Sequence, residues 1–181
     1  AGGIREGHVV RYIAGLGGKP APVIGELDGR TTARLQDIVR AFEQAGFSVT
    51  IEPNINAWLK THVALVSPLA NALYMAGGDN YRLARTRDGV VLALRAIREG
   101  FQVLRVLGIP ITPPRLKMFE WIPEPLLVAL LRRLLDTEFA AIGLAGHANA
   151  ARDEMKHLAD EFRRLACSAS VPTPAMDRLY T

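Results

Sequence analysis

A chain of 181 residues, 49% hydrophobic and 22% charged, is long enough to bury a core and too apolar for intrinsic disorder. Its 22 basic residues are interspersed with 18 acidic ones, leaving a formal charge of +4. Only Arg82, Arg85 and Arg87 cluster, with Tyr81 as the one aromatic among them, which speaks against a nucleic-acid partner and suits a small anionic one. The single cysteine, Cys167, excludes an internal disulfide framework and fits a reducing, cytoplasmic setting. Beside Leu165 and Ala166 it reads as a packing residue.

The start, AGGIREGHVV, carries Arg and Glu where a secretory signal would carry an apolar run. Residues 8–13 (HVVRYI) and 22–27 (PVIGEL) read as strands, with Gly15, Gly17, Gly18, Lys19 and Pro20 forming the turn between them. Thr31 or Thr32 opens a helix to about Gln44, whose apolar positions Leu35, Ile38, Val39 and Phe42 keep the helical period, and Gly46 ends it. Residues 48–52 (SVTIE) alternate like a strand. This β-β-α-β piece, residues 1–53, is too small for a stable sheet of its own and reads as the tail of a larger α/β domain or as a ribbon that docks on something else.

Residues 54–181 read as helices. The first, residues 54–74, is capped by Asn54 or Asn56 and stopped by Gly77-Gly78. Residues 61–78 carry no Asp, Glu, Lys or Arg, which raises a membrane span. His62, Ser67, Pro68 and Asn71 within the run, and no aromatic belts at its ends, make it a buried core helix instead. Asp79-Asn80 starts a polar loop or short helix. Asp88 is expected to cap a long, largely buried helix to about Leu107, on the stripe Val90, Leu94, Ile97, Phe101 and Leu104. Pro125 starts a helix over 126–135 with Arg132 and Arg133 facing water. Residues 137–149 show no clear period. Asn149 is expected to cap a last long helix, 150–167, and Thr173 a terminal turn.

Several motifs fail on spacing. GLGGKP at 15–20 lacks the dinucleotide-binding G-x-G-x-x-G pattern, and neither a phosphate-binding GxxxxGK[ST] nor a nucleophile elbow GxSxG occurs. Glu154-x-x-His157 has the spacing of half a di-metal site without the second half, and His62, His147 and His157 form no zinc pattern. Two charges at the borders of buried helix faces remain. Lys60 either snorkels to water or serves as an ammonium at a cleft, donating a proton to a developing alkoxide. Glu154 is either a solvated edge charge or a carboxylate that holds a substrate hydroxyl or orients the lysine.

The order of signals resembles the C-terminal part of the ketopantoate reductase family, the 2-dehydropantoate 2-reductases. It covers nearly the whole chain from Gly25 to Tyr180, and its most specific pieces are AWLK at 57–60, Glu154 opening its helix, and VPTPAMDRLY at 171–180. The resemblance implies a mainly α chain: a helical, 6-phosphogluconate dehydrogenase-like catalytic and dimerisation domain, 54–181, behind the last β-β-α-β piece of a Rossmann-type domain, 1–53. It implies reduction of a 2-keto acid by NADPH, with Lys60 as proton donor and Glu154 as substrate-binding carboxylate. The cofactor is held by a preceding fingerprint-bearing half that is missing here, so this chain alone is expected to be inactive. Where the family carries asparagines, this chain has Ala64 and Ser67, and GLAGHANAARDE replaces a substrate-contacting Ser-Ser-Met segment. Ser67 and Asn149, with His147, are the candidate substitutes, and ketopantoate itself is in doubt. A homodimer through the wide apolar faces of the first two long helices is expected. The rival readings are a non-enzymatic helical dimerisation module and a related hydroxyacid dehydrogenase with another substrate.

Overall fold

The computed structural model describes residues 3–12 and 21–180. Gly7, at φ +62°, takes the left-handed conformation that side chains resist. With His8 it closes a two-residue turn that pairs β1 (Gly3–Glu6) antiparallel with β2 (Val9–Tyr12), Glu6 opposite Val9. The strand expected at 8–13 therefore pairs with the residues before it, because a two-residue connection costs little closure entropy. The turn expected at 15–20 lies outside the described residues.

β3 (Val23–Ile24) and β4 (Thr50–Ile51) pair in parallel, joined by α1 (Ala33–Gln44). A helix between two strands carries the chain back along the sheet, so the second strand runs as the first. Thr32 caps α1: its Oγ1 accepts from the Leu35 N–H at 3.1 Å and donates to Glu26 Oε1 at 2.5 Å. A Cβ on Gly25 would stand 2.3 Å from the Glu52 carbonyl oxygen, so glycine is required where β3 leaves beside the end of β4. Of the apolar positions of α1 only Leu35 is buried, while Ile38, Phe42 and the β4 residue Ile51 are exposed.

The remaining described chain is helical. It comprises α2 (Ile55–Met75), α3 (Asn80–Arg85), α4 (Arg87–Val106), a 3-10 turn at Pro114–Lys117, α5 (Met118–Trp121) and α6 (Glu124–Leu135). Then come α7 (Glu138–Ala140), a π-helical segment at Ala141–Gly146, α8 (His147–Ala150), α9 (Arg152–Ala169) and α10 (Pro174–Leu179). The molecule is thus mainly helical with a small parallel sheet. Asn54 caps α2 by accepting from the Ala57 N–H, and Gly77 and Gly78, both at positive φ, end it. α2 packs along α4 through small residues: Ala64 is fully buried, and a Cβ on Gly100 would meet the Ala64 Cβ at 3.1 Å. Around this crossing lie Leu94, Ile97, Phe101 and Leu104 of α4, Leu73 of α2, Phe162 of α9 and Met176 of α10, all buried.

Several expected details differ. Asp88 is not the cap of α4 but stands in its first turn, where a carboxylate suits the helix dipole; Thr86 precedes the helix and spends its hydroxyl on the Arg82 carbonyl. Arg133 is exposed, but Arg132 is half-buried and donates from Nε to the Ala84 carbonyl at 2.8 Å. Residues 137–149 wind through α7, the π-helical segment and α8; a run of Ala and Gly offers no side-chain period to read. Asn149 does not cap α9, which begins after Ala151 without a side-chain cap. Thr173 does not cap α10 either: the Glu99 carboxylate of α4 accepts from the Ala175 and Met176 N–H groups at 2.9 Å each. Cys167 is exposed rather than packed. No helix among the described residues is long and apolar enough to cross a membrane, and no cluster of His, Cys, Asp and Glu among them could hold a metal ion.

Candidate functional site

Three residues separate the end of β4 from the start of α2, so the first turns of α2 sit at the carboxyl end of the parallel pair, where α/β sheets place their ligand clefts. Lys60 lies in the second turn, half-buried, its Nζ donating to Asn56 Oδ1 one turn earlier. It stands on the rim of a cleft of about 400 Å³ between α2 and α9, walled by Leu59, Val63, Leu158, Phe162 and Leu165, with Glu161 as the acidic member. Glu161 is held on its own helix by His157 at 3.5 Å and Arg164 at 3.9 Å. An ammonium fixed by a neighbouring amide at the mouth of an apolar cleft can donate a proton to, or neutralise, an oxyanion bound there. Trp58 and His62 stack on each other, ring centroids 5.0 Å apart, on the side of α2 away from Lys60.

The other predicted site residues are elsewhere. α9 runs antiparallel to α2: Tyr74, near the end of α2, donates to the Ala148 carbonyl at 2.6 Å, and the Arg152 guanidinium lies 4.6 Å over the Tyr74 ring. At the opposite end, Leu59, Lys60 and Val63 face residues 158–165. Glu154 is therefore about 10 Å along α9 from Glu161, seven residues at 1.5 Å each, and does not line the Lys60 cleft. It is exposed and makes no hydrogen bond or ion pair with a described residue. The expectation that packing brings Lys60 and Glu154 to one opening is corrected by this antiparallel register.

Ser67 is buried and hydrogen-bonded to the Tyr180 hydroxyl at 2.8 Å, a tie between α2 and the chain end. Burial pushes that hydroxyl up to about 12, against the smaller opposing effect of the Ser67 bond. Asn149 donates from Nδ2 to the Gly78 carbonyl at 2.8 Å and accepts from Arg152 at 3.0 Å, so it staples the turn after α2. Ala64, where the resembled family has asparagine, is closed into the α2–α4 crossing. The i, i+4 spacing of Asn56 and Lys60 was a signal for their pairing that the reading of Asn56 as a possible cap passed over; nothing in the sequence announced the cleft wall on α9, whose register a one-dimensional pattern does not hold. In comparisons with protein-family models, curated proteins and solved structures, nothing matches this chain.

Proposed function

We propose that this chain is the helical part, with the trailing strand-helix-strand of the nucleotide-binding part, of a cytoplasmic NADP-dependent 2-keto acid reductase similar to 2-dehydropantoate 2-reductase. Lys60 is its proton donor. The observation that carries the reading is the placement of Lys60: on a rigid, capped helix, two turns beyond the carboxyl end of the parallel β3–β4 pair, at the mouth of an apolar cleft. The parallel crossover around α1, with Ile38, Phe42 and Ile51 uncovered, supports a larger sheet in the assembled enzyme, since parallel sheets are covered on both faces. A division near residue 53, between the α/β piece and a 6-phosphogluconate dehydrogenase-like helical domain, follows from the same reading. Ser67 and Asn149 are spent on structural bonds and Glu154 stands outside the cleft, so Lys60 alone among the candidates carries the chemistry. The test is consumption of NADPH by the full-length gene product with a panel of 2-keto acids. Turnover that Lys60→Ala lowers about 10²- to 10⁴-fold is expected for a lost general acid; no turnover with any 2-keto acid overturns the assignment.

A second reading, a helical self-association module, is favoured by one surface. The broad faces of α2 and α4, expected to form a dimer, are spent on each other in the core. On α6, Leu126, Leu130 and Leu134 recur every fourth residue and are exposed, with Trp121 before them and Phe139 after. Leu126, Leu130 and Leu134 thus form one exposed stripe along α6, and a stripe of like residues suits a second copy packed across a two-fold axis. Sedimentation of parent and Leu130→Glu proteins checks it: a dimer lost in the variant supports the reading, a monomeric parent contradicts it.

A further inference from the structure

A second hollow, of about 540 Å³, is distinct from the Lys60 cleft. It lies at the opposite end of α2, among α3, the first turns of α4, and α10. Fifteen residues of helix, about 22 Å at 1.5 Å each, separate Lys60 from Met75 on its wall. Three arginines from three different helices converge there: Arg82 of α3, Arg95 of α4 and Arg178 of α10. One acid, Asp88, lines the same groove, so the formal lining charge is 3 − 1 = +2.

The arginines do not play equal parts. Arg95 is engaged bidentately by Glu124, at 2.9 and 2.8 Å, which holds that carboxyl below its ordinary range. Arg82 is exposed and makes no ion pair with a described residue, and its guanidinium lies against Gly77, where a Cβ would stand 3.5 Å from it. The floor between them is apolar: Ala72, Ala76, Leu83 and Leu92. A planar guanidinium matches the two oxygens of a carboxylate or phosphate, the floor matches a flat apolar body, and the volume falls in the range of small-molecule sites.

We propose that this groove is a second binding site, for an organic anion made of a carboxylate or phosphate head on a small apolar or aromatic body, with Arg82 as the head-group ligand. It does not rest on the reductase reading, and its test reads binding rather than turnover. The probe is anilinonaphthalene sulfonate, an aromatic anion whose fluorescence rises on burial, titrated into the 181-residue chain and then displaced by phenyl phosphate, benzoate or inorganic phosphate.

The expected result is one saturable probe site, displaced by phenyl phosphate or benzoate and much less by inorganic phosphate, which has no body for the floor. Whichever of the two aromatic anions displaces at the lower concentration identifies the head group. Removing a charged hydrogen-bond partner predicts about a 10- to 100-fold loss of affinity in Arg82→Ala and more in Arg82→Glu. Lys60→Ala, at the far end of α2, keeps the parent affinity. Parent-like binding by both Arg82 variants overturns the proposal, as does a loss in Lys60→Ala, which would put the probe in the other cleft. Equal displacement by inorganic phosphate also overturns it, reducing the groove to diffuse surface charge.

Discussion

The helical body and the β3–α1–β4 unit were built from equally clear patterns and ended differently. In the body, the stripes of α2, α4 and α9 found one another: Leu73, Leu94, Ile97, Phe101 and Phe162 are closed off from water. In the α/β unit the stripe of α1 is just as periodic, yet only Leu35 is buried and Ile38, Phe42 and Ile51 stay exposed. Periodicity tells which face of an element seeks a neighbour; the neighbour decides whether that face contributes to stability.

Truncating each side sharpens the contrast. Phe101→Ala opens the middle of the body, where the ring stands edge-on to Phe119 with centroids 6.1 Å apart. It should cost about 3–5 kcal/mol, read as a lower denaturant midpoint. A loss under about 1 kcal/mol would mean that the body is loosely packed. Phe42→Ser on α1 loses an edge-on contact with Phe47, centroids 6.2 Å apart, and is expected to cost about 1 kcal/mol. A core-sized loss there would show that α1 is covered and erase the difference.

Between those extremes lie the ties that close the body at α10. The Tyr180 hydroxyl, pushed up to about 12 by burial, ionises in the unfolded chain first, near pH 10. Its contribution is therefore complete below about pH 10 and drains as pH rises toward about 12, by up to about 1.4 kcal/mol per pH unit. Tyr180→Phe should remove that alkaline slope from the unfolding free energy; an unchanged slope would refute the assignment to Tyr180. Smaller again is Glu99→Ala, which frees the two backbone donors at the start of α10. A loss of about 1–2 kcal/mol is typical of an N-cap, whereas a neutral outcome would leave α10 anchored by its buried side chains and the Tyr180 bond.

How much of this was legible differs between elements and pairings. Asn54 and Thr32 as caps, Gly77-Gly78 as a stop and the buried stripe of α4 could be read from the chain, because each depends on residues within a few positions. The pairing of β2 with Gly3–Glu6, the capping of α10 by Glu99 and the Ser67–Tyr180 bond were not read there. The last two join partners through the fold, 76 and 113 positions apart; the hairpin is local, and its Gly7-His8 turn was a signal that the strand reading passed over. The candidate site belongs with the pairings. A charge on the border of a buried helix left two readings of Lys60 open, a snorkelling stem or an ammonium at a cleft, and the periodicity of α2 alone did not choose between them. That Glu154 does not share that cleft depends on the antiparallel register of α2 and α9, which neither helix states alone.

That register gives the sharpest test of Lys60. In the full-length gene product, steady-state reduction of a 2-keto acid by NADPH is compared among parent, Lys60→Ala and Glu154→Gln proteins. The geometry predicts turnover lowered about 10²- to 10⁴-fold by Lys60→Ala and near-parent turnover in Glu154→Gln. Near-parent turnover in Lys60→Ala, or equal collapse in both variants, would contradict it.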